Sequence, residues 1–217
     1  GVLFHEAFKA KISVTGNPVR SEVLRGNAER GRSLLGFERK KPIILVIGGS
    51  QGARELNHLV WSSLSQLLEE WNIVHQTGKD VGGSPAGEGY RRYEYIFDHY
   101  GDILAAADLV LCRAGATTLW ELSAAKKPSI LVPLGTESSR GDQIRNAQFF
   151  EKIGASRVLT HGAKNGERLL ELADQLRSGP GVLSEMGGKA GSVFKPHAAS
   201  ELAGELLRLG FGEEKRC

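Results

Sequence analysis

Two glycine-containing stretches carry backbone and hydroxyl groups that suit an anionic ligand. They are IGGSQGA at residues 47–53 and RAGATT at residues 113–118, and each follows an apolar run and precedes a helical pattern. Glycine lets backbone N–H groups approach an oxyanion closely, and the start of the following helix adds a favourable dipole. The first stretch has the spacing of neither a dinucleotide-binding nor a Walker motif, so it predicts equally well a plain helix start capped by Ser50.

Two charged residues accompany these turns. Arg20, in GNPVR, lies at a predicted helix start, where positive charge is disfavoured, so we expect an anionic ligand beside it; a solvated arginine is the alternative. Glu121 lies about one turn beyond RAGATT, where a carboxylate can accept hydrogen bonds from vicinal sugar hydroxyls or merely complement the helix dipole. Together these features predict a site for a nucleoside diphosphate, in which Thr117 or Thr118 caps the helix or donates to the ligand.

These residues need a scaffold that brings several turns to one edge. Short β-branched runs alternate with amphipathic stretches such as 56–68, which predicts an α/β fold with a doubly wound parallel sheet, followed from about Lys164 by helices only. Ligands of such sheets bind outside the carboxyl ends of the strands, where the polar turns lie. We expect one domain over residues 1–217, with strands at Ile12–Thr15, Ile43–Ile47, Ile73–Gln76, Tyr93–Phe97, Leu109–Cys112, Ile130–Val132 and Arg157–Leu159.

The composition argues against several other classes of protein. The 217 residues are 41% hydrophobic and 24% charged, which is ordinary for a globular domain. The net charge of +3 comes from scattered basic residues, so no nucleic-acid partner is indicated. Two cysteines make no disulfide framework and indicate a reduced, cytoplasmic protein, and no apolar run or signal peptide predicts a membrane span or export. Because the chain begins with Gly1 rather than Met, we expect a piece of a longer protein.

Metal-binding and catalytic side chains leave weaker signals. No Cys/His cluster or spaced pair of aspartates offers a metal site, and the six histidines are scattered. His75 lies inside a predicted strand, so we expect a hydrogen-bonded packing residue rather than a base, and we assign Trp61 and Trp71 to the core. The residues therefore predict binding chemistry, without a metal, a cofactor or a recognisable base.

Five motifs, in this order, resemble those of one enzyme family. They are TGNPVR, GGSQGARELN, HQTGK, CRAGATTLWEL and RGDQIRNA, and the similarity extends from about Phe4 to the last helix. The chain resembles the C-terminal half of the MurG family of glycosyltransferases, which have the two-domain GT-B fold. The resemblance implies a Rossmann-like domain that binds UDP-N-acetylglucosamine. It belongs to an inverting, metal-independent enzyme that transfers N-acetylglucosamine to lipid I, undecaprenyl-pyrophosphoryl-muramyl-pentapeptide, and so forms lipid II. It also implies peripheral contact of the full-length enzyme with the cytoplasmic face of the bacterial plasma membrane.

The resemblance further implies roles for particular residues. Arg20 and Ser50 are expected at the pyrophosphate, the main chain of Phe97 at the uracil, and Gln143 at the sugar, with Asp142 a weaker candidate. One segment is expected around the phosphates and the ribose, and within it Glu121 is expected to bind the ribose hydroxyls. This segment consists of Ala116, Thr117, Thr118, Leu119, Trp120 and Glu121. Trp120 stands where a small residue is expected, so its side chain is not taken as a contact.

The N-terminal half of the family carries the acceptor site and the presumed base. We therefore expect no catalytic residue in this chain, and contact with lipid I through the other half. Two alternatives remain open, namely a related UDP-sugar transferase with another acceptor and a nucleotide-sugar-binding module without catalysis.

Overall fold

The computed structural model describes residues 13–37, 41–48, 54–79, 87–135, 141–160 and 165–211. Val19–Phe194 form one compact unit, and the described residues 13–18 and 195–211 belong to a second. The candidate site lies within the first unit. That both units belong to one donor-binding domain over residues 1–217 stays a prediction.

A single six-stranded sheet forms the centre of the first unit, and every neighbouring pair of strands in it is parallel. Its order is β3-β2-β1-β4-β5-β6, so the direction of winding reverses between β1 and β4, which is the switch point where ligands of such folds bind. The predicted doubly wound α/β fold is confirmed. The strands are β1 Ile43–Ile47, β2 Asn72–Gln76, β3 Tyr90–Tyr93, β4 Leu109–Cys112, β5 Ser129–Leu131 and β6 Ser156–Val158.

Helices cover both faces of this sheet. In β1, Ile43, Leu45 and Ile47 pack into one apolar cluster, while Ile44 and Val46 pack into the other. The first cluster also receives α1, α2, α5, α6 and α7, and the second receives α3, α4 and α8. The helices are α1 Ser21–Leu24, α2 Ala28–Leu35, α3 Arg54–Trp61, α4 Leu64–Glu70, α5 Tyr100–Ala106, α6 Ala116–Ala124, α7 Asp142–Lys152, α8 Gly166–Ser178, α9 Val182–Gly191 and α10 Ala198–Phe211. Within the described ranges, every helix is too short or too polar to span a bilayer.

Two predicted strands are wrong in ways that tertiary pairing explains. The described residues 13–15 of the predicted strand Ile12–Thr15 pair with no strand of the sheet, and Val14 is 71% exposed. Since β-branched residues favour a strand mainly through packing against neighbours, an unpaired run gains little from them. The strand predicted at Tyr93–Phe97 begins earlier, at Tyr90, and its pairing with β2 ends at Tyr93, opposite Gln76. Beyond it, the Ile96 amide donates to the side chain of Gln76 rather than to a strand backbone.

The amphipathic stretch predicted as one helix over residues 56–68 is divided into α3 and α4. Two consecutive serines stand at the break, and the hydroxyls of Ser62 and Ser63 donate to the carbonyl of Leu59 at 3.0 and 3.2 Å. Serine side chains compete in this way with the backbone hydrogen bonds of a helix. The apolar face survives the break, since both helices pack into the same cluster.

Candidate functional site

A buried carboxylate with two side-chain donors lies beyond the carboxyl end of β4. Glu121, in the second turn of α6, is 4% exposed. Arg20 Nε donates to Glu121 Oε1 at 2.7 Å, and the Tyr100 hydroxyl donates to Glu121 Oε2 at 3.1 Å. The Arg20 guanidinium carbon lies 4.4 Å from the centre of the Tyr100 ring, so it also stacks on that ring. Three elements, the start of α1, the start of α5 and α6, therefore meet at one carboxylate.

The charges of this cluster are compatible with its burial. Burial raises the pKa of Tyr100 well above its usual range, and the neighbouring Glu121 acts in the same direction, so the phenol stays protonated and donates. The hydrogen bond to Glu121 likewise raises the pKa of Arg20, which also pairs with Glu22 Oε1 at 2.8 Å. A buried carboxylate is costly unless it is paired and hydrogen-bonded, and here both oxygens have a donor.

An open cavity of about 400 Å³ lies in front of this cluster. It occupies the carboxyl ends of β1 and β2 and the start of α6, which is the edge of the sheet that the polar turns predict. Of the predicted residues it brings together Arg20, Thr117, Thr118 and Glu121. Among the described residues, its lining consists of Arg20, Ile47, Gln76, Tyr95, Ile96, Tyr100, Thr117, Thr118 and Glu121.

The start of α6 is open as far as the described residues show. Gly115 is the N-cap residue, and a Cβ placed on it meets no heavy atom of those residues within 4 Å. The first intrahelical bond runs from the Leu119 amide to the Gly115 carbonyl at 3.0 Å, so the amides before it have no acceptor within the helix. Ala116 and Thr117, at this end, are exposed. Asn146 steadies the turn from α7, donating to the Ala114 carbonyl at 3.1 Å.

Phe97 lies beside the cavity rather than in its wall. Its side chain is 75% exposed, and its ring centre lies 4.2 Å from that of Tyr95. Both rings line an adjoining cavity of about 270 Å³, which shares Tyr95 and Ile96 with the larger one. The amide of Ile96 donates to Gln76 Oε1 at 3.1 Å, so the chain leading to Phe97 is held by a side chain of β2.

Gln143, Leu119 and Trp120 lie outside the wall of the larger cavity. Gln143 lies in the first turn of α7, where its Oε1 accepts from the Leu134 amide at 3.1 Å, which leaves its NH₂ group as the donor for a ligand. Leu119 is 2% exposed and packs in the core, so only its backbone is near the turn. Trp120 is half-buried. Ser50 lies outside the described residues.

Sequence reasoning missed three residues of the site. Tyr100 is absent from the predicted set because an aromatic residue at a helix start is typical of the core, which it also joins at 4% exposure. Tyr95 carries no motif signal. Gln76 belongs to HQTGK and is the last residue of a strand, at its carboxyl end, which was sufficient signal to include it. By contrast, the packing role expected for His75 is confirmed, since the residue is 0% exposed and both ring nitrogens have partners.

This arrangement offers recognition of a ligand with anionic and hydroxyl groups. Arg20, the threonine hydroxyls and the first amides of α6 are donors, and donors of these kinds bind phosphate oxygens. Glu121 is the complementary acceptor for hydroxyl groups. Among the residues described, no three His, Cys, Asp or Glu side chains are grouped so that they could hold a metal ion.

The sequence comparisons match this chain to glycosyltransferases. The family model described as glycosyltransferase family 28 C-terminal domain matches residues 43–202. A Bacillus cereus protein named UDP-N-acetylglucosamine--N-acetylmuramyl-(pentapeptide) pyrophosphoryl-undecaprenol N-acetylglucosamine transferase 2 is 44% identical over 181 residues, which are 81% of this chain and 51% of that protein. The similarly named transferase of Clostridium perfringens is 43% identical over 176 residues, which are 78% of this chain and 49% of that protein.

A solved structure shares both fold and sequence. The crystal structure of Acinetobacter baumannii MurG superposes with a TM-score of 0.70 at 26% identity, covering 91% of this chain and 57% of that one. The calicheamicin glycosyltransferase CalG4, at 18% identity and a TM-score of 0.59, shares the fold alone. The chain thus spans about half the length of the curated relatives that it matches.

Proposed function

The chain belongs to the C-terminal domain family of glycosyltransferase family 28, and from this premise we propose that it binds the UDP-N-acetylglucosamine donor of a two-domain transferase. One observation carries the proposal. Glu121 is a buried carboxylate that accepts two side-chain hydrogen bonds, and it lines a cavity of about 400 Å³ at the switch point of the sheet. A carboxylate next to an arginine and a free helix start suits a nucleotide that presents hydroxyls and phosphates together.

We assign the donor one orientation in the cavity. The ribose hydroxyls donate to Glu121, and the diphosphate lies over the first amides of α6, near Arg20, Thr117 and Thr118. The uracil then lies towards Phe97, whose main chain follows the Gln76–Ile96 hydrogen bond. We assign the sugar to the NH₂ group of Gln143 and the pyrophosphate also to Ser50, as the family resemblance implies.

In the whole protein, this domain would serve the transfer of N-acetylglucosamine to lipid I. The names of the relatives describe that donor and that acceptor. The contribution of this chain is to hold the donor and to stabilise the UDP that departs, because amides and a cation at the diphosphate favour the charge that develops there. The base and the lipid I site belong to the other half, and the peripheral contact with the cytoplasmic face of the membrane belongs to the full-length enzyme. The domain needs no cofactor for this role.

Calorimetric titration tests the proposal. UDP and UDP-N-acetylglucosamine should bind the chain, and Glu121→Gln should weaken UDP by roughly 1–3 kcal/mol, because the amide loses the charge and presents a donor to a hydroxyl. Glu171→Gln is the matched control, since that glutamate is exposed and pairs with Arg168 on α8. Binding of neither nucleotide to the wild-type chain would reject the proposal. Measurable transfer to a lipid I analogue by this chain alone would reject the assignment of the base to the other half.

A further inference from the structure

We propose that Tyr100 is a positioning residue which makes Glu121 selective for a vicinal diol, and hence for ribose over deoxyribose. The inference rests on the proposed nucleotide site. It concerns the one side chain of the buried cluster that sequence motifs do not mark.

The acceptor capacity of Glu121 supports this role. An ionised carboxylate has about four lone-pair sites, two on each oxygen. Arg20 Nε fills a site on Oε1 and the Tyr100 hydroxyl fills a site on Oε2. One site therefore remains on each oxygen, and two adjacent acceptors are what two neighbouring hydroxyl donors require. A ligand that lacks one hydroxyl leaves one buried acceptor without a partner, which is costly.

The hydroxyl of Tyr100 also prevents a competing geometry. The guanidinium of Arg20 is a planar fork that pairs with both oxygens of a carboxylate when nothing prevents it. In the structure only its Nε reaches Glu121, while its NH1 pairs with Glu22 at 2.8 Å. Without the phenolic donor on Oε2, we expect the carboxylate to turn towards Arg20 and pair with it through both oxygens. The acceptors for the ligand would then be lost although Glu121 and Arg20 are both still present.

A purely structural role for Tyr100 makes a different prediction. The residue is 4% exposed and belongs to the apolar cluster of α5, so its loss could act through stability alone. In that case removal of the hydroxyl lowers stability and weakens every nucleotide by a similar factor. The ratio of affinities for ribose and deoxyribose ligands separates the two roles, because it cancels any change common to both ligands.

Tyr90 supplies a matched control on the other face of the sheet. It is 5% exposed, and its hydroxyl accepts from Trp61 Nε1 at 3.1 Å and lies 3.0 Å from His75 Nδ1. Tyr90→Phe therefore removes a similarly buried, hydrogen-bonded hydroxyl from outside the proposed site. Tyr100→Phe keeps the ring on which Arg20 stacks and removes only the donor.

The experiment measures the dissociation constants of UDP and 2′-deoxy-UDP for the wild type, Tyr100→Phe and Tyr90→Phe by calorimetry. We expect the wild type to prefer UDP by about tenfold or more, as loss of a hydrogen bond to a charged group implies, and Tyr100→Phe to reduce this preference to about threefold or less. Tyr90→Phe should lower the melting temperature and keep the wild-type ratio. An unchanged ratio in Tyr100→Phe would overturn the inference.

Two further outcomes are decisive. If the wild type binds no UDP, the proposed function itself fails; if it binds UDP with a preference that Tyr100→Phe retains, only the role of Tyr100 fails. Should Tyr100→Phe not fold, Tyr100→Met, with an adaptable apolar side chain, replaces it. Failure of both variants to fold would make Tyr100 a packing residue and would also overturn the inference.

Discussion

His75 Nε2 lies 3.0 Å from Asn57 Oδ1, inside the core and on the face of the sheet that packs against α3. Asn57 Nδ2 donates to the Thr77 carbonyl at 2.9 Å, so its oxygen faces the ring and accepts from it. The other ring nitrogen then accepts from the Tyr90 hydroxyl, at 3.0 Å. This network requires a neutral imidazole, and it joins α3 to the residue that follows β2, at the edge that carries the candidate site.

The protein should lose stability as the pH falls because of this histidine. Burial lowers the pKa of His75 to about 3, and the charge of Arg92 acts in the same direction. In the unfolded chain His75 is protonated below about pH 6.5, whereas in the folded chain it stays neutral down to about pH 3. The contribution of neutral His75 to the free energy of unfolding is therefore complete above pH 6.5 and is lost progressively below it. The free energy of unfolding should fall by about 1.4 kcal/mol per pH unit in that window.

Urea unfolding at pH 7, 6, 5 and 4 measures this slope. His75→Leu should be less stable at pH 7, because it leaves Asn57 and Tyr90 with fewer partners, but its stability should vary less with pH. His197→Gln removes an exposed histidine and is the control. Equal slopes for the wild type and His75→Leu would contradict the assignment.

Arg20→Ala should weaken the binding of UDP more than that of uridine. A hydrogen bond to a charged group contributes roughly 1.5–3 kcal/mol, and the lower end applies here because the Arg20 side chain is 49% exposed. The affinity for uridine should fall less, because it changes only through the altered position of Glu121. Arg25→Ala, an exposed arginine just after the same helix, is the control in calorimetry. An equal loss of affinity for both ligands would show that Arg20 does not contact the phosphates.

Gln143→Ala should distinguish the sugar from the nucleotide. Its Oε1 is taken by the Leu134 amide, so its NH₂ group is the part that can donate to a sugar hydroxyl or carbonyl. We expect the affinity for UDP-N-acetylglucosamine to fall by about 1 kcal/mol and that for UDP to change little. Gln148→Ala, at an exposed position of the same helix, controls for changes in α7. A similar loss for both ligands would show that Gln143 does not read the sugar.

Two neighbouring glycines of α9 should respond oppositely to alanine. A Cβ on Gly187 would collide with the carbonyl oxygen of Lys126, just beyond the end of α6, whereas a Cβ on Gly188 has no heavy atom within 4 Å. Gly187→Ala should therefore lower the free energy of unfolding by about 1–3 kcal/mol, because the backbone at Lys126 or in α9 must move. Gly188→Ala should stabilise by roughly 0.5–1 kcal/mol through helix propensity. Urea unfolding at pH 7 measures both, and a stable Gly187→Ala would contradict the close contact of α9 with α6.

The sequence by itself determined the central strands and the edge of the sheet that carries the candidate site. The bounds predicted for Ile43–Ile47 and Leu109–Cys112 are those of β1 and β4. A strand buried on both faces must be apolar throughout, so such strands stand out as continuous runs. The residues that follow such strands share one edge in any parallel sheet, which is why Thr117, Thr118 and Glu121 could be assigned to one site before their positions were known. Arg20 follows no strand of the sheet, and its place in the site was predicted from its charge at a helix start and from the family resemblance.

Only the tertiary structure decided how those residues are paired and what completes the site. Arg20 and Glu121 are 101 positions apart, and their 2.7 Å contact depends on how the start of α1 packs beside α6. Tyr100 is an aromatic residue of the kind expected in the core, and the packing of α5 directs its hydroxyl towards Glu121. The course of the chain after β3 likewise depends on a residue of β2, because the Ile96 amide donates to the side chain of Gln76 rather than to the backbone of a neighbouring strand. Local patterns carry the periodicity of burial, but the direction and partner of a side chain depend on residues that only the fold brings near.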